Sequence, residues 1–441
     1  MSDERKRAER KVGFARFWAR AKQIVTTDPS GSDEDDLLVD EEAAKVLAAQ
    51  AGKLKGGLAK VAQLAAYDPG ATLGGKSGAT RSARAVLGGL WDQAPAVSAG
   101  AIARVIEEDL GKAPQALFAR WEATPLASAS LGQVHAAQLH DGTEVVVKVQ
   151  YPGVAESLRA DLDDGAFLRK LAGSEVGRAL DSSALTALGE AVRGELDYRA
   201  EARSIGDFAT AWGDHPVLRF PRVIAELSST RVLTMTRAKG KTVIEAAGLG
   251  SPDVRRQAAL GIFEVAWCSP LVHGLLNADP NPGNFLVDEQ PDGHVHVWCL
   301  DFGCAFSIPD DVRDADREIW WGLLDDDSGT AAERFRMGIA KAGLLARADL
   351  LASTAHRDWE RALAAPFRTH GDFHWDATYA TDLASATGRV LALGGLALPA
   401  KVLMLWRQRL GAAAVIGMLD AKAPFRRILV DRIGTGKKAL R

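Results

Sequence analysis

The chain has 441 residues, 47% hydrophobic and 25% charged, with a formal net charge of −3. That leaves room for two or three domains, or one large bilobal one, with a substantial core, and it excludes a uniformly basic nucleic-acid binder. The three cysteines, Cys268, Cys299 and Cys304, have apolar neighbours and no zinc spacing, so they read as free core thiols of a reducing cytoplasm.

In chain order, residues 1–45 form a basic then acidic segment. Arg5 to Lys22 interleave with Val12, Phe14, Phe17 and Trp18, a pattern compatible with a helix on an anionic bilayer and, more simply, with a solvated helix. The N-terminus lacks the apolar core of a signal peptide. The longest apolar run, Val390 to Ala400, stops at Lys401, short of the ~20 residues needed to span a bilayer. The expectation is a soluble cytoplasmic protein, at most peripheral to a membrane.

Residues 43–67 and 101–121 have helical composition and spacing, within a helical segment over 46–115. Next, Leu131–Leu139 and Glu144–Gln150 flank Asp141-Gly142, a strong hairpin signal. A helical stretch follows over 155–212, then a second hairpin, Phe220–Glu226 with Arg231–Thr236, closing a β-containing lobe over 116–237. The lobe over 238–441 reads as helix at 252–276 and from about 310, interrupted by a third hairpin. There Phe285–Val287 and His294–Leu300 flank Gln290-Pro-Asp-Gly293. Strands early and helices late predict an α+β fold with segregated lobes.

Gly70 to Ser77 fits the phosphate-loop pattern G-x-x-x-x-G-K-[ST]. A Lys/Ala/Gln-rich helix precedes it instead of an apolar strand, so it reads as a surface loop and not as a site built on Lys76.

A second constellation fits phosphoryl transfer, which needs metal ligands, a cation on the phosphates and a residue that orients the nucleophile. Asp279 and Asn284 are five apart, the spacing of a kinase catalytic loop, and Asp301-Phe302-Gly303 follows seventeen residues after Asn284. Asn284 opens one strand of the third hairpin and Asp301 closes the other, so both should reach one magnesium ion, with Asp279 on the loop before them. Lys148 interrupts the apolar strand Val145–Gln150, where an isolated ammonium would be costly unless paired. Its carboxylate partner is expected in Glu195-Leu-Asp197-Tyr-Arg-Ala-Glu201, where Asp197 and Glu201 share a helix face. Small residues Ala127, Ser128, Ala129 and Ser130 would let backbone approach phosphate.

Together these residues resemble the UbiB/AarF atypical kinases, over about 50–425. Ala127 to Ser130 with Gln133-Val-His135 is similar to the family's alanine-rich loop. Val145 to Val154 is similar to its lysine strand, and Glu195-Leu-Asp197 to its E-x-D motif. Asp279 to Asn284 and Asp301 to Gly303 resemble its catalytic and metal loops, and Leu398-Pro399 through Arg407 and Gly411 its C-terminal helices. The resemblance implies a bilobal protein-kinase-like fold with an N-terminal helical extension. It implies ATP or ADP bound with Mg2+, ATPase or self-phosphorylating activity, and links to ubiquinone or other isoprenoid-lipid metabolism at a bilayer. Lys148, Met235, Glu195, Asp197, Glu201 and the alanine-rich loop would line the nucleotide. Lys60 and Gln63 of a K-x-G-Q-like motif would join them.

Departures are Ala62 for that motif's glycine, Asn277 and Asn281 for histidines, and Thr236 for a hinge glutamate. A nucleotide-gated binder of an isoprenoid lipid and a small-molecule kinase are the competing readings. The acceptor, the Glu195 or Glu201 pairing and the oligomeric state stay open.

Overall fold

A computed structural model describes residues 97–129, 131–163, 186, 189–190, 193–279, 281–325, 328–345, 347–397 and 399–434. The basic N-terminal segment, the Gly70–Ser77 loop, Lys60, Ala62, Gln63 and Ser130 lie outside the described residues. The chain divides into two compact units, one of residues 1–167 with 224–235, the other of 168–223 with 236–441.

The first unit is a four-stranded sheet with a helix on it. Helix α1 (Ala99–Leu110) places Ile102, Val105 and Ile106 on one stripe, all within 2% of full burial, and ends on Gly111 at φ +74. Strands β1 (Arg120–Ser128), β2 (Gly132–Gln138) and β3 (Glu144–Gln150) run antiparallel, and β4 (Val232–Thr236) completes the order β1-β2-β3-β4. α1 packs on β3, whose Val145, Val147 and Val149 are fully buried. The Asp141-Gly142 turn forms as expected. Gly142 takes φ +87 and donates to Leu139 O at 2.9–3.0 Å scale distances typical of a tight hairpin, here 3.0 Å. Helix α2 (Val154–Asp163) follows.

Two expectations are corrected here. Residues 101–121 are not one helix: α1 stops at Leu110, Pro114–Leu117 forms a single turn, and β1 starts at Arg120. The second hairpin is not strand against strand. Ala225–Leu227 is a 3-10 turn, with folding back confined to bonds such as Ile224 N to Thr234 O at 2.8 Å, while Leu218–Arg219 pairs in parallel with another strand. A side-chain clamp holds that return: Asp109 accepts from Ser229 Oγ at 2.6 Å and Arg231 Nε at 2.9 Å. Burial alone would raise the Asp109 pKa, but the Arg231 and Ser229 bonds outweigh it and hold the carboxyl below its ordinary value.

The second unit is mostly helix. Its main helices are α3 (Tyr198–Trp212), α4 (Pro252–Phe263), α5 (Asp310–Leu324), α6 (Ser328–Lys341) and α7 (Ala400–Met418). A π turn, Glu264–Cys268, continues α4, and residues 275–277 are a short strand rather than the end of a helix. The third hairpin forms as read, with β5 (Phe285–Glu289) antiparallel to β6 (Val295–Cys299) in register Phe285 to Cys299. Rings fill the helical core: Trp267 meets Trp320 at 5.4 Å and Trp375 at 5.6 Å. Gly322 and Gly338 let α5 and α6 approach closely, because a Cβ on either would lie 2.5–2.6 Å from backbone nitrogen of Phe335 or Ile319. The three thiols are free and buried, and burial raises those of Cys268 and Cys299. Among the described residues no helix is long and apolar enough to cross a membrane.

Candidate active site

The chemistry-bearing residues of the second unit converge because of the β5–β6 hairpin. Leu300 N donates to Asn284 O at 3.0 Å, extending the ladder one step past the Phe285–Cys299 pair. That step sets Asn284 opposite Leu300, with Asp301 the next residue along at the hairpin's open end. Asn284 closes a 3-10 turn, Pro282–Asn284, whose entry is capped by Asn281 accepting from Gly283 N at 2.8 Å. Asn284 Nδ2 donates to Asp279 O at 2.8 Å, which aims its amide oxygen away from the loop. Asp301 Oδ1 accepts from Gly303 N at 2.9 Å, and a Cβ on Gly303 would lie 3.3 Å from that oxygen.

Asn277 ties the two loops together. Its Nδ2 donates to Asp301 O at 2.7 Å and its Oδ1 accepts from Asp279 N at 3.3 Å. One amide thus spans the loops at 277–284 and 301–303, a task for which a donor and an acceptor on one planar group are suited. The short strand 275–277 pairs with residues 305–307 and sets this register, with Asn277 opposite Ala305.

Both candidate glutamates also bear on the loop that follows Asp301. Glu195 Oε1 accepts from Cys304 Sγ at 2.7 Å, and Glu201 Oε1 accepts from Phe302 N at 3.4 Å. Glu195 and Glu201 are buried. Asp197 does not share a helix face with Glu201. It is the N-cap of α3, half-buried, and accepts from Arg199 N at 3.0 Å, so its charge sits on the helix N-terminus. Thr236 exchanges bonds with Arg222: its Oγ1 accepts from Arg222 N and its own N donates to Arg222 O, each at 2.9 Å.

In the first unit, Lys148 lies buried in β3 opposite Val134. Ala127 and Ser128 are not in a loop. They are the last residues of β1, opposite Val134 and Gln133, and Ala129 accepts from and donates to Gly132 across a tight turn. Met235 is buried on β4. Gln133 and His135 have structural work. Gln133 exchanges bonds with Val97, and His135 Nδ1 meets Glu122 O at 2.9 Å while stacking 4.8 Å from Trp121. Burial lowers the His135 pKa, which favours the neutral ring, and Nδ1, facing a carbonyl oxygen, is the nitrogen placed to donate.

Arg407 of α7, which the resemblance places only in the C-terminal helices, has its Nη2 3.5 Å from Asp279 Oδ1, a nearness that the motifs do not give. Its signal in the sequence is the polar run Arg407-Gln408-Arg409 inside the otherwise apolar stretch Val402 to Met418.

The Asn284 amide oxygen and the Asp301 carboxylate are hard oxygen donors that fit magnesium, whose remaining positions are ordinarily filled by phosphate and water. Among the described residues no group of three or more His, Cys, Asp or Glu side chains could hold a metal, so any ion here would depend on those outside ligands.

This is the arrangement of a kinase-like α+β protein, with an antiparallel sheet unit and a mostly helical unit. The ABC1 atypical kinase-like domain matches residues 89–335, more than half of the chain, and the chain belongs to that family, which includes the UbiB/AarF and COQ8 proteins. It is 33% identical over 274 residues to the mitochondrial atypical kinase COQ8B of Rattus norvegicus, covering 62% of this chain and 51% of that protein. It is 29% identical over 277 residues to the mitochondrial atypical kinase COQ8 of Saccharomyces cerevisiae, covering 62% and 53%. The chain spans about half the length of these curated relatives. A solved Mycobacterium tuberculosis protein, Rv3197 in complex with erythromycin, superposes with TM-score 0.62 at 27% identity, over 92% of this chain and 100% of that one.

Proposed function

We propose that the chain is an atypical kinase or ATPase that binds ATP or ADP with Mg2+, its acceptor being an isoprenoid-type lipid, a quinone precursor or water. The observation that carries this is the convergence of Asp279, Asn284 and Asp301 around the β5–β6 hairpin, tied by Asn277. Asn284 and Asp301 would hold the cation, which when bound neutralises charge on the phosphates. Lys148 would secure the α- and β-phosphates, steadied by Glu201 or Glu195. Ala127 to Ser130 would lie over the phosphates, and Met235 beside the base. Asp279 would orient the acceptor hydroxyl or water and take its proton. Lys60 and Gln63 would close over the nucleotide, and a peripheral contact of the N-terminal segment with a bilayer would bring a lipid acceptor within reach.

The test is a thermal-shift screen with ATP, ADP and Mg2+, with and without anionic liposomes carrying a quinone precursor. Binding raises the midpoint according to ligand excess over its dissociation constant. The reading requires a magnesium-dependent rise with at least one nucleotide and measurable phosphate release. A protein that neither shifts nor turns over nucleotide would reject it.

A further inference from the structure

Helix α7 carries two buried arginines two residues apart, and they differ in what they touch. Arg409 Nη1 donates to Asp316 Oδ1 at 2.6 Å and its Nη2 to Asp316 Oδ2, while the guanidinium lies 4.6 Å from the Trp320 ring centre. Arg407 is only 6% exposed, yet among the described residues none of its three guanidinium nitrogens makes a hydrogen bond. Its ion pair with Asp279 Oδ1, at 3.5 Å, is longer than the 2.7–2.9 Å or so of a charge-assisted hydrogen bond. Asp279 is itself 6% exposed.

A guanidinium offers five N–H donors in a planar fork matched to two oxygens of one oxyanion. Burying such a group with its donors unspent is unfavourable, and native interiors rarely tolerate it. Arg409 shows that α7 can pair both terminal nitrogens of an arginine from within the chain, leaving only its Nε without a hydrogen bond among the described residues, where Arg407 leaves all three. Arg407 therefore has donors left for a ligand that arrives from outside. The ligand must be anionic to match the charge, compact to enter a buried place, and close to Asp279.

We propose that Arg407 grips a phosphate-type oxyanion beside Asp279, at the acceptor end of the site. This rests on the kinase or ATPase reading above. Two sources share this chemistry: the phosphoryl group leaving the nucleotide, and a phosphate carried by the acceptor. In the transfer step, the acceptor oxygen–phosphorus bond forms as the bond from the γ-phosphorus to the β,γ-bridging oxygen breaks, and the acceptor's proton passes to the Asp279 carboxylate. Arg407 holds two non-bridging oxygens of the oxyanion throughout and gives up no proton.

The experiment is isothermal titration of the full chain with inorganic phosphate in Mg-ADP, and with glycerol 3-phosphate in Mg2+ and a non-hydrolysable ATP analogue. Wild type, Arg407→Gln and Arg407→Lys are compared, with circular dichroism to establish folding. Binding of inorganic phosphate only when the γ position is vacant identifies the transferred group. Binding of glycerol 3-phosphate beside the triphosphate analogue identifies an acceptor's own phosphate. In either case Arg407→Gln weakens the anion at least tenfold, and Arg407→Lys, which keeps the charge but loses the fork, weakens it several-fold. Should Arg407→Gln fail to fold, Arg407→Lys decides alone. Wild type binding neither probe at millimolar concentration, or either folded variant binding as tightly as wild type, overturns the proposal. Failure of the nucleotide reading shows separately, as wild type that does not bind Mg-ADP; phosphate titrated alone then decides the Arg407 site.

Discussion

Replacing Asn277 by Asp is the sharpest probe of how the two loops are held. The change is nearly isosteric, but it removes the donor that faces Asp301 O at 2.7 Å and puts a carboxylate oxygen against that carbonyl. The acceptor side survives, since either Asp oxygen can take the Asp279 amide now bonded at 3.3 Å. Losing the one bond and leaving a carbonyl unpaired costs about 1–3 kcal/mol, with like-charge repulsion placing it toward the upper half. At about 2–4 °C per kcal/mol for a unit of this size, the melting midpoint should fall by about 4–12 °C. Tryptophan fluorescence is the right assay, because eight of the eleven tryptophans belong to the second unit. Turnover should fall further than stability alone explains, about 10–100-fold, because small misplacements of Asp301 against Asp279 are expensive in rate. A midpoint and a turnover both unchanged in Asn277→Asp would refute the idea that this amide sets the spacing.

Other expectations follow from the same physical terms. Asp109→Asn should destabilise the first unit by about 1–2 kcal/mol, since Arg231 loses the more buried of its two carboxylate partners and keeps only Glu108. The Asp109 carboxyl is held low in the folded state, so the stability gap between wild type and variant should be fully present above the unfolded carboxylate value of about 4 and vanish as pH falls through the lower folded pKa. Denaturant titrations at stepped pH check this, and a gap that widens toward acid contradicts it. Arg409→Met should cost about 3–5 kcal/mol by stranding the buried Asp316 carboxylate, whereas the double change Arg409→Met with Asp316→Leu should recover most of it. Chemical denaturation curves of both variants decide. A thiol reagent at pH 8 should label none of the three cysteines in the folded chain within minutes and all three after unfolding, because burial holds Cys268 and Cys299 as unreactive thiols and Cys304 is buried as well. Rapid labelling of the folded chain would contradict the packing described for that core.

The parts of this fold that sequence reveals are those fixed by local rules. Asp141-Gly142 and Gln290-to-Gly293 specify their hairpins because few residues other than glycine accept the φ +87 and +83 found there. Hairpin geometry then puts Asn284 and Asp301 at the same open end of the β5–β6 ribbon, which the spacing alone predicts. The misreadings occur where tertiary partners decide. Thr124 to Ser128 looks like a phosphate loop because its residues are small, yet β2 recruits it as strand, through register shifts at Pro125 that local propensity does not encode. The segment 220–226 carries strand composition, but Ser228 and Ser229 hydroxyls take over the backbone bonds and close a 3-10 turn instead. Asp197 and Glu201 have helix spacing, but Asp197 sits one residue too early and caps the helix rather than riding on it. Arg407 is visible in the sequence as part of the polar run Arg407-Gln408-Arg409 in the C-terminal helices, with nothing to tell it from Arg409. The nearness of Arg407 to Asp279, 128 positions earlier, is a long-range fact of packing.

The most direct test of the account is Asp301→Asn. An asparagine oxygen can still accept from Gly303 N, so the loop should keep its shape while losing the charge that a divalent cation needs. Titrating Mg2+ into each protein with ATP or ADP and following heat and phosphate release should show a magnesium-dependent nucleotide complex and turnover in wild type, and turnover abolished in a variant that melts within a few degrees of it. Equal magnesium-dependent turnover in the two proteins would contradict the assignment of the metal to the β5–β6 hairpin, and with it the function proposed for the chain.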